Sequence, residues 1–343
     1  RSLNNQSLSI KKDSLNNYTA NRLSASGKIG FGINVYDLLG KELNKNGIYS
    51  LEMKINGKRK YYHDVETFSF AESKYINLLI DYEHYSRYKS RIQKTFREKE
   101  NKLSIYEGLI QDGGISIKGG YNYQFEIIAK DFIGNSSSLK IPVIGLESET
   151  MINQQRDTTA YKIVKNKFQK FSKDGVTIAF PKNTFYKDFF LDFSVNEKIA
   201  RVHKPIIPLD KKFTITFDSI MYKKSELDHI YIANMNNKKY PYYMDTRKKS
   251  DKIFTTTKTL GDYGLLVDNQ IPKIYNPNFK INDWMSRSRY LTIKISDSQS
   301  GIKSYEAFID NEWILMEYDV KKKKLSYDFR DKKLVGSKHI FKL

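Results

Sequence analysis

One stretch of the chain occurs twice, once near each end. Residues 47–57 and 301–311 share Gly, Ile, Ser, Glu and Ile at the same positions. Each copy follows an alternating apolar run that ends in Asp, at Asp37 and at Asp297. An alternating run that breaks at an Asp and a Gly-containing loop, and then resumes, is typical of two half-buried β-strands joined by a turn. The repeat therefore predicts one β-module that is used at least twice.

The length of the chain sets the number of domains. A single sandwich core needs only about 100 to 150 residues, so 343 residues predict two or three domains. We predict an all-β fold of tandem immunoglobulin-like or fibronectin-like β-sandwiches with a short insertion in the first. The predicted parts are a linker or ragged strand at 1–26, a first sandwich at 27–149, a second at 150–268 and a third immunoglobulin-like module at 269–343.

The insertion lies at residues 71–100. Apolar residues recur there near helical spacing, at Tyr75, Ile76, Leu79, Ile80, Tyr88, Ile92 and Phe96, and charged residues fill the gaps. This pattern predicts a helical or irregular segment whose polar part is exposed. Strands at 123–131 and 139–143, joined by a turn at Gly134 and Asn135, then close the first sandwich.

The remaining two modules differ from each other. The second lacks the repeated signature, so we interpret it as a sandwich of different lineage, with strands predicted at 176–181, 191–195, 213–217 and 230–233. In the third module, residues 337–343 match the strand at 123–128, but the turn and final strand that should follow are missing. We therefore expect that the chain stops before its natural C-terminus or that the remainder is disordered, leaving an open edge. Arg1 in place of an initiator Met predicts an upstream piece.

The composition limits the classes of function. The formal charge of +20 favours attraction to anionic polymers or surfaces, but much of the excess is Lys in loops, which favours a solvated face. No motif indicates nucleic-acid binding. No apolar run reaches the roughly 18 residues of a transmembrane span. The chain contains no Cys, so neither disulfides nor thiol chemistry is available.

The candidate metal and catalytic residues are few. No two histidines lie within four residues of each other, which excludes a His-Glu-x-x-His motif; they are His63, His84, His203, His229 and His339. We interpret His63 with Asp64, and His84 with Asp81 and Glu83, as surface pairs rather than as general bases or metal ligands.

Other polar and glycine-rich positions also have structural interpretations. Calcium binding is one hypothesis for the strand ends, but capping of turn amides is favoured at Asp37, Asp131, Asp297 and Asp310. The segment 30–32 lacks the third glycine and the helix of a phosphate loop, so its glycines are interpreted as relieving a twisted strand. No Gly-x-Ser-x-Gly elbow occurs. We predict no catalytic, cofactor-binding or metal-binding residue in this chain.

Longer segments of the chain resemble a known family, at residues 27–37, 63–70, 91–94 and 180–186. They are similar to the C-terminal region of envelope proteins that begin with a lysostaphin-type zinc endopeptidase domain, and the similarity covers nearly the whole chain. The resemblance implies an exported Gram-negative protein, periplasmic or associated with the outer membrane. Its upstream domain would cut peptide cross-links in peptidoglycan, and immunoglobulin-like modules would follow.

The zinc ligands of that family are absent from this chain. The family uses a His-x-x-x-Asp pair and a His-x-His pair, but the residues four positions after His63, His84, His203 and His229 are Thr67, Tyr88, Ile207 and Ala233. No zinc-binding or catalytic residue can therefore be assigned by resemblance. We expect no peptidase activity from this chain, and zinc only in an upstream domain.

Three functions follow as hypotheses. The preferred one is a non-catalytic accessory region that positions a peptidase domain or binds an envelope protein complex or peptidoglycan. The second is a structural subunit of an outer-membrane or secretion assembly, with contacts through edge strands and the insertion. The third is an enzyme whose site is spread over the sandwiches. The sequence leaves open the identity of the partner, the angles between modules and the oligomeric state.

Overall fold

The computed structural model describes residues 6–15, 17–39, 44–147, 158–219 and 224–343. Within them the fold is all-β, built from tandem sandwiches with a short helical insertion, as predicted. Each sandwich has its own apolar core. The predicted boundary at 149–150 lies outside the described residues.

The first sandwich is built on one large sheet. Its strands are β1 Ile10–Lys12, β2 Tyr18–Ala20, β3 Leu23–Ala25, β4 Gly27–Ile29, β5 Gly32–Ile33, β6 Asp37–Leu39, β7 Asn44–Asn46, β8 Ser50–Ile55, β9 Lys58–Asp64, β10 Gln93–Lys94, β11 Ile115–Ile117, β12 Asn122–Lys130 and β13 Ser136–Gly145. The large sheet has the order β1-β2-β13-β12-β8-β9, and β3 also pairs with β13. The short pairs β4–β11, β5–β10 and β6–β7 complete the sandwich.

The core of the first sandwich lies between the large sheet and the short pairs. Alternate residues of β12 are buried, namely Phe125, Ile127 and Ala129, as the period of a strand requires. The ring of Phe31, beside β5, meets the ring of Phe125 edge to face at a centroid distance of 5.0 Å. The two layers therefore pack directly on each other.

The N-terminal residues belong to the first sandwich. Strands β2 and β3 run parallel to β13, with Tyr18 opposite Leu139 and Leu23 opposite Val143. The sequence predicted a linker or a ragged strand at 1–26, and within that segment β1, β2 and β3 are paired strands. The pairing gives β13 a second neighbour, so β13 is not an edge strand of the sheet.

The insertion is helical over part of its length. A 3₁₀ helix at Phe70–Tyr75 continues into α1 Ile76–Leu79, and α2 follows at Tyr82–Tyr88. The carboxylate of Asp81 accepts a hydrogen bond from the amide of His84 at 3.0 Å, which caps α2. A small apolar cluster of Leu79, Leu103 and Ile105 lies beneath. A second 3₁₀ turn at Gln111–Gly113 leads back to the sandwich.

The second sandwich consists of two five-stranded sheets and one short pair. Its strands are β14 Tyr161–Ile163, β15 Gln169–Lys173, β16 Val176–Phe180, β17 Phe189–Leu191, β18 Phe193–Asn196, β19 Ile199–Val202, β20 Phe213–Asp218, β21 Ile230–Asn234, β22 Tyr242–Tyr243, β23 Arg247–Lys249, β24 Lys252–Thr257 and β25 Gly261–Val267. The sheets have the orders β15-β16-β20-β24-β23 and β18-β19-β25-β21-β22, and β14 pairs with β17. Helix α3 spans Lys224–Leu227.

One predicted strand of the second sandwich is divided. The alternating run at 191–195 spans the end of β17 and the start of β18, which belong to different sheets. The break falls at Asp192, whose amide donates to His203 Nδ1 at 3.1 Å while its carbonyl accepts from the His203 amide at 2.7 Å. These two bonds hold the chain where it changes sheet.

The third sandwich repeats part of the first. Its strands are β26 Lys273–Tyr275, β27 Tyr290–Ser296, β28 Ala307–Ile309, β29 Glu312–Ile314, β30 Glu317–Asp319, β31 Lys324–Asp328 and β32 Phe341–Lys342, in the orders β26-β27-β31-β30 and β29-β28-β32. Phe341 pairs with Ile309 as Phe125 pairs with Ile55. The match between residues 337–343 and the strand at 123–128 is therefore confirmed in register.

Candidate functional site at the insertion interface

The insertion of the first sandwich contacts the second sandwich through polar groups. We call this contact the insertion interface. On the insertion side its residues are Lys74, Tyr75, Ser86, Glu98 and Glu100, and on the side of the second sandwich they are Lys165, Tyr186, Lys187, Pro205 and Asp210. The insertion therefore contacts the next module through residues that are far apart along the chain.

Glu98 is the most enclosed carboxylate of this interface. Its side chain is 16% exposed and pairs with Lys94 of the insertion and with Lys187 of the second sandwich. Burial alone would raise the pKa of Glu98, but the two ammonium groups lower it below its usual value. Glu98 is therefore charged at neutral pH and holds both lysines.

A second contact lies at the start of the insertion. Lys74 Nζ lies 2.8 Å from Asp210 Oδ1, and this hydrogen bond raises the pKa of Lys74. The hydroxyl of Tyr186 donates to the Lys74 carbonyl at 3.4 Å, and its ring lies 6.0 Å from the ring of Tyr75. Lys74 is thus held by its side chain and by its backbone.

Helix α2 supplies a third contact. Ser86 Oγ donates to the carbonyl of Pro205 at 2.5 Å, in a loop of the second sandwich that follows β19. Nearby, Lys165 Nζ lies 3.4 Å from Glu100 Oε1. The interface is therefore made at several separate points of the insertion, which restrains rotation more than a single contact would.

The glycines at 30 and 32 allow the insertion to approach the first sandwich. A Cβ atom at Gly30 would lie 2.6 Å from the ring of Phe96, and one at Gly32 would lie 2.5 Å from Ile92 Cγ2. Both distances are shorter than real Cβ contacts. The close approach of β5 to the end of the insertion accounts for these glycines, and it refines the sequence interpretation that they relieve a twisted strand.

Several segments that carried the family resemblance meet at this place. In the β5–β10 pair, Gly32 lies opposite Lys94, which in turn holds Glu98. The segment 180–186 ends at Tyr186, beside Lys187. Sequence analysis did not predict this contact. The expected exposure of the insertion's polar residues is wrong for Lys94, which is 16% exposed because Glu98 neutralises it.

His63 is a structural residue of the first core. It is buried, and its Nδ1 lies 2.9 Å from the hydroxyl of Tyr61. Burial lowers the pKa of His63 to about 4, partly opposed by Asp64. It was interpreted as a surface pair with Asp64, and that is wrong because strand β9 turns the ring toward Tyr61 and Tyr106.

The second acid–histidine group does not converge on one point. Asp81 caps α2, Glu83 pairs with Arg87 at 2.5 Å, and the ring of His84 lies 4.8 Å from the ring of Tyr88. Each of the three residues therefore contacts a different partner within α2, and the three side chains do not face one common ligand.

The strand-end aspartates mostly bind backbone amides. Asp131 accepts from the amide of Asn135 at 2.8 Å, and Asp297 accepts from Gln299 and Gly301. These contacts agree with the favoured capping role. Asp310 instead reaches across to the last strand, where it accepts from Ile340 and pairs with His339.

Neither a metal-binding cluster nor a membrane-spanning helix is found among the described residues. In the part of the chain that the structure describes, no three His, Cys, Asp or Glu residues are grouped so that they could hold a metal ion. In that same part, none of the helices has the length and apolar character needed to cross a bilayer.

The fold and the interface define a tandem β-sandwich protein whose first two modules are joined through an insertion. Residues 160–268 match a family described as the Zu5-like domain, and this region lies within the second sandwich. No curated protein matches the chain. Among solved structures, extracellular domains 3–5 of Drosophila OTK align over 93% of each chain with 10% identity, but the TM-score is 0.18. The fold assignment rests on the sheets of this chain.

Proposed function

We propose that this chain is a non-catalytic accessory region of an envelope protein that resembles the lysostaphin-type endopeptidase family. Its role is to position a neighbouring domain or to bind an envelope partner. The insertion interface is the observation that supports this role. A positioning region must resist rotation between its modules, and contacts at Lys74, Ser86 and Glu98 restrain the first two sandwiches at separate points.

The charge of the chain supports the choice of partner. With a formal charge of +20, the surface attracts polymers that carry carboxylates or phosphates. Peptidoglycan carboxylates and lipid phosphates are such groups, and both belong to the envelope compartment that the family resemblance implies. The accessory region would then hold its partner domain close to that surface.

In the alternative function, the chain is a structural subunit of an outer-membrane or secretion assembly. It would then contact its partners through the insertion. Lys74, Ser86 and Glu98 instead contact the second sandwich. The part of the insertion left for a partner is correspondingly smaller, which favours the positioning role.

The positioning role can be tested by a distance measurement, because the chain contains no Cys. Spin labels at Lys58→Cys and Lys173→Cys report on the first and second sandwiches. We expect a narrow distance distribution that broadens when Glu98→Ala and Lys187→Ala are introduced together. Lys170→Ala, at an exposed site outside the interface, is the matched control. A broad distribution in the parent protein would overturn the positioning role.

The binding role needs its own experiment. The purified chain should sediment with isolated sacculi at low salt, and the bound fraction should fall as salt screens the charges. Vesicles that contain anionic lipids distinguish phosphate from carboxylate recognition. If neither sacculi nor vesicles retain the chain, the binding part of the proposal is lost while the positioning part stands.

A further inference from the structure

A groove lies at one end of the first sandwich, and its lining shares no residue with the insertion interface. Its volume is about 300 Å³, and its walls include Asp37, Ile48, Tyr49, Glu66 and Phe132. Asp37 begins β6, Tyr49 precedes β8, and Phe132 lies in the turn between β12 and β13. Glu66 follows β9, so four separate segments of the sandwich build one concave surface.

The groove combines aromatic rings with carboxylates. The rings of Tyr49 and Phe132 are nearly perpendicular, with centroids 5.6 Å apart. Phe132 is 78% exposed, and Ile133 beside it is 82% exposed. Exposed apolar residues at a turn tip cost solubility, so a contact that covers them is favourable.

The carboxylate of Glu66 has a fixed position in the groove. The hydroxyl of Tyr49 donates to Glu66 Oε2 at 2.8 Å, and the Glu66 amide donates to Asp64 Oδ1 at 3.2 Å. The hydrogen bond to Glu66 is the main cause that raises the pKa of Tyr49 to about 12. Tyr49 is therefore a donor at neutral pH, and Glu66 stays an acceptor with a second oxygen available.

The internal repeat shows what this end of a module does elsewhere in the chain. Asp37 and Tyr49 correspond to Asp297 and Lys303 of the third sandwich. There, the amide of Ser300, between those two positions, donates to Asp268 Oδ2 at 2.9 Å. Asp268 follows the last strand of the second sandwich. The equivalent end of the third sandwich is thus a contact surface for another domain.

The charges at the two equivalent ends are different. The third sandwich carries Lys303 there and meets a segment that contains the buried acid Asp268. Burial lowers the pKa of Lys248 in the second sandwich, Asp228 partly opposes this effect, and the charge of Lys303 adds to it. The first sandwich carries Tyr49 in that place, with Asp37 and Glu66 on the walls. A complementary segment would therefore be cationic.

We propose that this groove is a docking site for a protein segment that presents a Lys or Arg side chain. The cation would lie against the faces of Tyr49 and Phe132 and donate to the carboxylates of Glu66 and Asp37. An apolar neighbour on the same segment would cover Ile133. The site is distinct from the insertion interface and needs neither sacculi nor vesicles, so its failure would leave both parts of the proposed function standing.

The groove can be tested with short peptides of defined charge. The probes are Ac-Val-Lys-Val-NH₂ and Ac-Val-Arg-Val-NH₂, with Ac-Val-Nle-Val-NH₂ as the uncharged control. Amide resonances of Tyr49, Glu66, Phe132 and Gly134 in the ¹⁵N-labelled chain report on binding. We expect the Lys and Arg peptides to shift these resonances in a saturable way, and the norleucine peptide to have little effect.

Variants separate the roles of charge and ring. Glu66→Gln keeps an acceptor for Tyr49 but removes the charge, and it should weaken binding of the Lys peptide about tenfold. Phe132→Ser should weaken all three peptides. Glu306→Gln, an exposed carboxylate in the third sandwich, is the matched control and should change nothing. Three outcomes would each overturn the proposal. They are equal binding of the Lys and norleucine peptides, no resonance shift with any peptide, and undiminished binding of the Lys peptide to the Glu66→Gln variant.

Discussion

The backbone amide of Asp310 donates to the carbonyl of Ile340 at 2.9 Å, and the Asp310 carboxylate accepts from the Ile340 amide at 2.7 Å. The first sandwich contains the same pair of bonds between Asn56 and Gln124, at 2.9 and 2.8 Å. In both places the polar side chain closes a tight hairpin turn and also anchors the neighbouring strand. The repeat in the sequence is thus a repeat of hydrogen bonds.

This relationship predicts different effects for two substitutions at Asp310. Asp310→Asn copies the residue of the first sandwich and keeps an acceptor for the Ile340 amide. Asp310→Ala removes it, so the Ile340 amide should exchange with solvent about fivefold faster. Hydrogen exchange measured by NMR distinguishes the two variants. Equal exchange rates in both would show that the side chain does not hold β32.

Because His63 is buried, the free energy of unfolding of the first sandwich should depend on pH. The pKa of His63 is about 4 in the folded chain and near 6.5 when unfolded, so its contribution is complete above pH 6.5 and is lost as the pH falls toward 4. The loss should reach about 3 kcal/mol for the first sandwich. Denaturant unfolding at pH 7 and pH 4.5 measures it. His63→Gln cannot take up the proton and should show a flatter dependence.

Because Gly30 lies close to the ring of Phe96, adding a single methyl group at position 30 should lower the stability of the fold. Gly30→Ala places a Cβ 2.6 Å from the ring of Phe96 and should destabilise the first sandwich by about 1–3 kcal/mol. Gly47→Ala is the matched control, since nothing lies within 4 Å of its Cβ. Thermal unfolding of the two variants provides the comparison. A similar loss for both would mean that glycine flexibility, rather than packing at Phe96, decides the effect.

Glu98 predicts coupling between the first two sandwiches. Glu98→Gln should lower stability by about 1–3 kcal/mol, because Lys94 and Lys187 lose their shared anion. A double-mutant cycle with Lys187→Ala should give a coupling energy of about 0.5–3 kcal/mol. The folded pKa of Glu98 is lowered, so this contribution is present above its unfolded pKa and is lost as the pH falls through the folded value. Additive effects would contradict a direct pair.

Local patterns were sufficient to predict many strands. The alternating run at 176–181 covers β16, which ends one residue earlier at Phe180, and the runs at 213–217 and 230–233 lie within β20 and β21. In these strands one face is buried, so the period of two is visible in the sequence. Strands β2 and β3 are too short for any period to appear, and their pairing with β13 could not be predicted.

The insertion interface depends on information that no local pattern contains. Glu98 and Lys187 are 89 residues apart, and each resembles a surface charge in its own segment. Only the folded arrangement of two modules brings them together. The glycines at 30 and 32 were a usable signal, because a glycine in a strand often marks a close approach. The residues that lie against these glycines, Phe96 and Ile92, were not evident from the sequence.

The parallel pairing of β2 and β3 with β13 has a mechanical consequence. After β1, the polypeptide runs through β2 and β3, and it leaves the first sandwich through β13. Strands β2, β3 and β13 point the same way. A pull on the two ends of the module therefore slides the strands past each other, and their hydrogen bonds bear the load together. Pulling on the antiparallel β1–β2 hairpin would break its hydrogen bonds one at a time. The parallel pairing of β2 and β3 with β13 would instead hold until all of its hydrogen bonds break together.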